Sequence, residues 1–349
     1  MNPKIDKRRI LKCIRFIKYI VVAQITLCVG VSNAHAQNAR ALLTKAFESP
    51  KYAFEGTQST TLSMSSGNIT SQVTVICDGH GGEKRFYRNG AMKGVETLQV
   101  GKMMWRKAGS ERWIEMPMVD DRTPISVLVR DILNNYKLQF KPAVNIAGRK
   151  AIPIWIDAKH QYNPSRHIWV DPAMGVILKD VLYAPDGAMR SVSYFTRLRV
   201  YRPTSMKFQP PGEFDLPTLF GPASFVPRDS AQAVMNETQM NIYYPTVVPI
   251  GYHPAMYGVM ITGSGRKMPV VRYSDGLGAF TIFQRGMGGG FGYGQGYGRR
   301  MRNGGGPGTC VGNTDKQHAI VTYNGVKANY ILIGGISESE LKKVALSLP

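Results

Sequence analysis

The chain reads Arg149-Lys-Ala-Ile-Pro-Ile-Trp-Ile-Asp157, then Arg166-His-Ile-Trp-Val170, Val176–Tyr183 and, after Asp186-Gly187, Met189–Tyr201. Apolar residues alternate along these runs, which is the two-residue period of a β-strand with one buried face. The connections are short turns rather than helical crossovers, so neighbouring strands run in opposite directions. This stretch therefore predicts a largely antiparallel β-meander.

The same kinds of pattern extend in both directions from this stretch. Upstream of residue 149 we expect strands at 51–58, 72–77, 83–88, 97–107 and 112–116, with helices at 38–48 and 125–136. Downstream of residue 240 we expect strands at 258–261, 270–273, 279–285, 317–323 and 326–333, with a helix from 337 to 348. The predicted fold class is therefore mainly β, of the α+β type.

Composition divides the chain into four parts. Residues 1–36 have the features of a signal peptide, and residues 37–202 hold the first series of strands. Residues 203–240 contain six prolines and no long periodic run, which is typical of an interdomain linker. Residues 241–349 form a smaller strand-rich domain. It is interrupted at 286–308, where 12 of 23 residues are glycine and predict a flexible loop.

The first 36 residues predict export. Lys4 to Arg15 holds six Lys or Arg, an apolar run follows from Ile20 to Val31, and small residues stand two apart at Ala34 and Ala36. The apolar run is too short to span a bilayer, which needs about 20 residues. We therefore expect a periplasmic protein. ATP, NAD and nucleic acid are not among its expected partners.

The charge balance is strongly basic. The leader carries seven Lys or Arg and one acid, which is +6 of the formal net charge of +21, so the rest of the chain keeps about +15. A basic exported protein can be drawn to anionic lipid head groups or envelope polymers. The positive charge therefore has two possible interpretations: a peripheral contact with the envelope, or a basic surface that is simply solvated.

No pattern typical of a catalytic or metal site stands out. The nearest cluster, Cys77-Asp78-Gly79-His80, supplies too few ligands for zinc, and the other histidines are scattered. Gly263-Ser264-Gly265 fits a turn, and Asp120-Asp121 fits a loop or helix start. We therefore expect neither an enzyme nor a cofactor. Cys77 and Cys310 are either a disulfide or, as we favour, two separate buried thiols.

Two stretches resemble a known family. In residues 149–201, Trp-apolar-Asp at Trp155–Asp157 and at Trp169–Asp171 ends a strand, and an Asp-Gly hairpin follows. This pattern resembles the LolA-like lipid-binding fold shared by lipoprotein carriers and the RseB/MucB regulators. Tyr244–Tyr252 together with Pro269–Phe283 resembles the opening of the small C-terminal domain of RseB/MucB, which simple carriers lack.

The resemblance implies a large LolA-like, half-open antiparallel β-barrel with helices, and a second, smaller α+β domain. In the RseB/MucB family the protein holds a membrane-spanning anti-sigma factor in the periplasm and protects it from proteolysis. The large domain is expected to take up lipid-type signals of envelope stress. The implied partners are therefore an anti-sigma factor and a lipid or lipoprotein-like ligand. The alternative is a periplasmic lipid or lipoprotein carrier without a signalling role.

Strand parity suggests which residues could line an apolar cavity. Alternation places Ile152, Ile154 and Ile156 on one face of their strand. Alternate residues of the strand at 191–201 should likewise share one face: Val192, Tyr194, Leu198 and Val200. Either Ile168 and Val170 or Trp169 would face the same interior, and Met103 could complete it.

The resulting candidates for ligand binding are Trp105, Trp113, Phe140, Ile154, Ile156, Trp169, Tyr194 and Leu198. Each buried CH₂ group of an acyl chain contributes about 0.8 kcal/mol, so an incompletely filled sheet could bind a fatty tail without any catalytic group. The alternative is a closed hydrophobic core made of the same residues.

Overall fold

The structure is a computed structural model that describes residues 38–48, 50–64, 66–101, 103–116, 123–201, 207–215, 224–262, 265–286, 308, 310–314 and 319–349. The predicted signal peptide, Asp120-Asp121, Gly263-Ser264 and most of the glycine-rich loop lie outside the described residues, as do 202–206 and 216–223 of the predicted linker.

The described ranges form 20 strands and four α-helices, with a short 3-10 helix at Gly90–Met92. The helices are α1 (38–47), α2 (Ile125–Asn135), α3 (Ala231–Thr238) and α4 (Glu338–Leu346). Within these ranges, no helix is both long enough and apolar enough to cross a membrane.

The strands fall into two sheets. The first sheet contains β1 (Ala53–Met64), β2 (Gly67–Asp78), β3 (Gly82–Tyr87), β4 (Val95–Val100), β5 (Met103–Ala108), β6 (Trp113–Met116), β7 (Tyr136–Phe140), β8 (Val144–Ile146), β9 (Arg149–Ala158), β10 (Ser165–Val170), β11 (Ile177–Tyr183), β12 (Met189–Tyr201) and β13 (Phe214–Asp215). The second contains β14 (Ser224–Arg228), β15 (His253–Ile261), β16 (Lys267–Ser274), β17 (Ala279–Arg285), β18 (Cys310–Thr314), β19 (Ala319–Asn324) and β20 (Asn329–Gly334).

The first sheet is open. Its order is β13-β6-β5-β4-β3-β2-β1-β12-β11-β10-β9-β7, with β8 paired to β9. Neighbouring strands are antiparallel, except that β13 runs parallel to β6. In the described chain, the end strands β13 and β7 do not pair with each other. The predicted fold class is confirmed: a mainly β, α+β protein with a large open antiparallel sheet and helices.

Helices α1 and α2 cover one end of the first sheet. The apolar residues of α2 recur three and four positions apart, which gives this helix one apolar face. That face is buried in what we call the helix-covered cluster: Leu43, Ala46, Val129, Ile132, Tyr136, Ile154, Ile156, Ile168 and Val170. Full burial of each large aliphatic side chain contributes about 1.5–3 kcal/mol. Helix packing therefore fixes this end of the sheet.

A second group of buried residues, the sheet cluster, lies farther along the same sheet. It consists of Phe54, Val73, Val75, Cys77, Ala151, Met174, Val176, Leu178 and Phe195. The Phe54 and Phe195 rings meet edge to face, with centroids 5.9 Å apart. These contacts connect β1, β2 and β12 to the segment between β10 and β11.

The second sheet is antiparallel and has the order β14-β15-β16-β17-β20-β19-β18. Val234 of α3 and Leu341 and Val344 of α4 are completely buried with Ile282 and Leu332 of the sheet, in the second-sheet cluster. The Ser337 hydroxyl accepts a hydrogen bond from the Glu340 N–H at 3.3 Å and caps α4.

Part of the predicted linker belongs to the second sheet. Strand β14 pairs with β15, and α3 packs into the second-sheet cluster. The predicted linker end at residue 240 is therefore too late, because the second unit begins by Ser224. Pro227 is compatible with a strand here because β14 is an edge strand, where a missing N–H can face away from the ladder.

Candidate functional site

Two of the predicted cavity residues are ordinary core residues. Ile154 and Ile156 are completely buried in the helix-covered cluster, together with Leu43, Val129 and Ile132 from the two helices. Helical side chains therefore occupy the space over this part of the sheet. Ile168 and Val170 belong to the same cluster. Of the two alternatives for their strand, it is therefore this pair, and not Trp169, that faces the same side as Ile154 and Ile156.

The other predicted residues are spread over both faces of the first sheet. Trp169 and Leu198 are partly buried against the sheet cluster. Trp105 is buried on the opposite face from Val75, since strand pairing places Arg106, its neighbour in sequence, on the Val75 side. Trp105 packs there on Phe214, with ring centroids 5.9 Å apart.

The remaining three predicted residues are accessible. Phe140 is 45% exposed, Tyr194 is 40% exposed, and Trp113 is half-buried beneath the Lys107 ammonium group. Met103 is also exposed. The structure thus does not bring the eight candidates together around one cavity, and none of them lines the groove described below. Lipid binding by these residues stays a prediction.

A β-bulge explains why parity misassigned one strand. Thr57 of β1 pairs with Arg197, but the next residue, Gln58, pairs with Phe195, so β12 has one extra residue at this point. Before the bulge Tyr194 is 40% exposed while Phe195 is 4% exposed. After it Leu198 and Val200 pack on the Phe195 side. The prediction that Val192, Tyr194, Leu198 and Val200 share one face is therefore wrong.

A polar groove of about 580 Å³ lies on the first sheet near an aromatic stack. Asp157 and His167 line it, and His167 Nε2 lies 3.0 Å from Asp157 Oδ1. The His167 ring stacks on Trp155 at 4.8 Å, and Lys141 Nζ lies 4.0 Å from the Trp155 ring centroid. Asp157 and His167 of this groove are therefore engaged in intramolecular contacts. The described ranges hold no group of three or more His, Cys, Asp or Glu that could bind a metal.

The strongest polar site joins the two sheets at the turn between β16 and β17, Ser274–Gly278. The Tyr136 hydroxyl donates to Asp275 Oδ2 at 2.5 Å, and Asn135 Nδ2 donates to the Asp275 carbonyl oxygen at 2.9 Å. Leu277 of the same turn packs against the helix-covered cluster. The turn therefore inserts into the core of the first sheet.

The Asp275 carboxylate is completely buried in this contact. Burial raises its pKa, and this effect outweighs the hydrogen bonds from Tyr136 and from the N–H groups of Leu277 and Gly278, which lower it. Burial and the nearby Asp275 charge also raise the pKa of Tyr136, so its hydroxyl stays a hydrogen-bond donor.

Further polar contacts cross between the sheets. Asp131 of α2 accepts from Arg130 and lies 2.9 Å from Nε2 of His253 at the start of β15. Asn163 Nδ2 donates to the carbonyl oxygen of Ile250 at 3.4 Å, and an Arg190 guanidinium nitrogen donates to that of Gly335 at 2.8 Å. Local sequence patterns do not predict this interface. Its one sequence signal is the Ser-Asp-Gly-Leu-Gly turn, which lies inside the stretch that resembles the small RseB/MucB domain.

The two cysteines are separate. Cys77 is buried in the sheet cluster and Cys310 is half-buried on β18, and both thiols are free. Burial raises the pKa of Cys77 to about 11, so it stays protonated and inert. Cys77 is the separate buried thiol that we favoured, whereas Cys310 is a separate thiol that is only half-buried.

Comparison with known proteins identifies solved structures that share this architecture. No protein-family model matches the chain. No curated protein matches it in sequence either. Among solved structures, the complex of Pseudomonas aeruginosa MucA and MucB matches with a TM-score of 0.58 and 17% identity, over 89% of this chain and 98% of the matched chain. The chain has the MucB fold.

Two more structures give the same result. MucB in complex with the periplasmic part of MucA matches with a TM-score of 0.56 and 16% identity, and MucB alone matches with a TM-score of 0.50 and 18% identity. Both cover 90% of this chain and 98% of the matched chain. The MucB fold therefore includes both sheets of this chain, and the predicted resemblance in fold is confirmed.

Proposed function

We propose that this protein is a non-enzymatic regulatory binding protein of the periplasm that holds the periplasmic segment of a membrane-spanning anti-sigma factor. The observation that carries the proposal is the MucB fold itself. It extends over both sheets, and two of the matched structures are complexes of MucB with MucA. A simple carrier would need only the first sheet.

The interface between the sheets supports a regulatory role. Asp131 of the first unit contacts His253 of the second. Asn135 contacts Gly251, and Tyr136 contacts Asp275. These contacts hold the two units in a defined arrangement. A partner that contacts both units is sensitive to that arrangement. A ligand that shifts the arrangement would change partner affinity, with a typical coupling of about 1–3 kcal/mol.

The proposal also includes export to the periplasm and the binding of a lipid-type ligand. The basic and apolar leader at residues 1–36 supports export. Accessible Phe140 and Tyr194 on the first sheet are the candidates for contact with an acyl chain.

The test uses the mature chain, residues 37–349, and the periplasmic segment of the single-span membrane protein encoded next to a sigma factor in the same genome. Isothermal titration calorimetry should give a dissociation constant of about 1 μM or lower, and the bound segment should resist protease digestion. Absence of both binding and protection would refute the regulatory role. Lipid retained in native mass spectrometry, without binding of the segment, would favour a carrier instead.

A further inference from the structure

Two lysines of the first unit lie over tryptophan rings. Lys141 Nζ is 4.0 Å from the centroid of the Trp155 ring, and Lys179 Nζ is 4.5 Å from the centroid of the Trp169 ring. Cation–π attraction acts within about 6 Å of a ring centroid. Lys141 also donates to the side-chain oxygen of Gln139 at 2.9 Å. Neutral partners therefore hold each ammonium group without cancelling its charge.

Strand register places these pairs on one face of the first sheet. Trp169 pairs with Lys179, and Lys179 pairs with Tyr194, so these three residues form a row across β10, β11 and β12. Trp155 lies on the same face, because it is two residues from Pro153, the partner of Trp169. We call this surface the tryptophan–lysine face: Lys141, Trp155, Trp169, Lys179 and Tyr194.

The tryptophan–lysine face is accessible. Tyr194 is 40% exposed, and the other four residues are half-buried. Helices α1 and α2 pack on the opposite face of the sheet. The sequence neighbours of the face residues are buried on that opposite face: Ile154, Ile168, Leu178 and Phe195. The helices therefore leave these rings and ammonium groups uncovered.

Two more cations lie on the same side of the sheet. Exposed Lys137 is two residues before Gln139, which pairs with Trp155. Exposed Arg197 pairs with Thr57, which is two residues from the partner of Tyr194. Asp157 shares this side but lies 3.0 Å from His167 Nε2. Positive charge therefore prevails around the aromatic rings.

We infer that the tryptophan–lysine face docks on an anionic phospholipid bilayer, with its aromatic rings at the level of the lipid head groups. The negative potential of anionic lipids attracts lysine and arginine, and indole and phenol rings favour the boundary between hydrocarbon and water. A soluble polyanion would satisfy the cations only. The inference goes beyond the proposed function, because the bilayer is a partner in addition to the anti-sigma segment and to a single bound lipid.

Co-sedimentation with vesicles tests the inference on the mature chain, residues 37–349. One set of vesicles contains phosphatidylcholine alone, and the other contains equal parts of phosphatidylcholine and phosphatidylglycerol. We expect binding to the phosphatidylglycerol vesicles to be tighter by about tenfold or more, because each cation near an anionic surface strengthens binding about fivefold. Added salt should weaken this binding, since surface charges are screened.

The double variant Lys141→Gln, Lys179→Gln tests the face directly. Loss of two cations should weaken binding to the phosphatidylglycerol vesicles about 25-fold. The matched control, Lys93→Gln with Lys327→Gln, removes the same charge at exposed positions outside the face, and Lys327 also lies over a ring, 5.4 Å from the Tyr243 centroid. We expect the control to bind like the unmodified chain. Circular dichroism and thermal melting confirm that each variant is folded.

Tryptophan fluorescence tests which part of the chain meets the bilayer. Phosphatidylcholine with brominated acyl chains, mixed with phosphatidylglycerol, should quench the emission of the unmodified chain. The double variant Trp155→Phe, Trp169→Phe should lose most of this quenching, because Trp105 is buried and Trp113 lies at the other end of the sheet on β6. Unchanged quenching in this variant would show that another surface meets the bilayer and would overturn the inference.

Equal binding to both kinds of vesicle, or an equal loss in the two double-lysine variants, would also overturn it. So would binding to polyglutamate in solution that is as tight as vesicle binding and equally weakened by Lys141→Gln with Lys179→Gln. The anti-sigma segment is titrated without vesicles, so the two proposals fail separately. If the segment binds and the vesicles do not, bilayer docking fails and the proposed function stands. If only the vesicles bind, the proposed function fails and bilayer docking is supported.

Discussion

Tyr136 provides the hydrogen bond that links α2 and β7 to the turn of the second sheet. Tyr136→Phe leaves the completely buried Asp275 carboxylate without this donor. An unsatisfied buried group typically costs about 1–3 kcal/mol, and we expect a loss of that size in the free energy of unfolding by urea at pH 7. Tyr201→Phe, at an exposed position, is the control and should change stability by less than about 0.5 kcal/mol.

The same variant has a pH signature. Burial raises the folded-state pKa of Asp275 above its ordinary value of 3.8, so its contribution to stability is fully present below 3.8 and falls as the pH rises through the folded-state value. Tyr136→Phe removes a hydrogen bond that lowers this pKa and therefore enlarges the fall. The stability penalty of Tyr136→Phe should grow as urea titrations move from about pH 4 to pH 7. A penalty that shrinks with rising pH would contradict this assignment.

Gly276 is the point of closest approach between the turn and α2. A Cβ atom built at this position lies 2.9 Å from the backbone nitrogen of Ile132, and the φ angle is +108°. Gly67 has a similar φ of +119° with open space around it, so Gly67→Ala reports the backbone strain alone. We expect Gly276→Ala to cost about 1–3 kcal/mol more than Gly67→Ala in urea denaturation. Equal costs would show that the turn moves away from α2 without penalty.

At the scale of elements, hydrophobic periodicity predicted much of the fold. The helix expected at 125–136 is Ile125–Asn135, and the strands expected at 189–201 and 279–285 have those bounds in the structure. Their long apolar patterns suffice to place these elements along the chain, although the pattern of the strand at 189–201 does not fix which of its faces is buried. The run expected at 97–107 is two strands, because the chain turns at Gly101, where φ is +58°.

The misses have physical reasons of two kinds. Strand β14 and helix α3 are short and stand in a proline-rich segment, and they form because the second sheet offers them an edge and an apolar face. The prediction of the site residues depended on which face of the sheet each side chain occupies. One extra residue near Phe195 reverses that assignment along β12. The contact of Asp275 with Tyr136 joins residues 139 positions apart, which no local pattern reports.

Glu237 connects α3 to two strands of the second sheet through ion pairs. Its carboxylate pairs with Arg228 of β14 and, at 3.2 Å, with Lys267 of β16. Burial alone would raise its pKa, but the hydrogen bonds and charges of these two partners prevail and lower it from the ordinary value of 4.5. The stability that these pairs contribute is therefore present above pH 4.5 and is lost as the pH falls through the lowered folded-state pKa.

Glu237→Gln should remove this contribution. We expect a loss of about 1 kcal/mol at pH 7, because exposed pairs contribute about 0.2–1 kcal/mol each, and a smaller loss in urea titrations below pH 4.5. Glu48→Gln, which breaks an exposed pair with Lys51, is the control and should change stability by less than about 0.5 kcal/mol. A pH-independent loss for Glu237→Gln would rule out the ion pairs as its cause.

At the scale of the whole molecule, the two sheets have separate hydrophobic clusters but a shared polar interface. Leu277 of the second unit packs on the helix-covered cluster of the first, and Asn135 donates to two backbone carbonyl oxygens of the second. Separate cores allow each unit to unfold alone, while the interface couples them. The proposed function needs this balance, because a regulator must hold two units together and still let ligands change their arrangement.

Calorimetry can measure that coupling. The unmodified chain should unfold in one transition, and the double variant Asn135→Ala, His253→Ala should unfold in two, because it loses three of the contacts between the sheets. The control, Lys93→Ala with Val326→Ala, changes one exposed residue in each unit and should keep a single transition. A partner segment that contacts both units binds only when both are folded, so saturating anti-sigma segment should restore one transition in the double variant. Two transitions that persist at saturation would mean that the partner contacts one unit only.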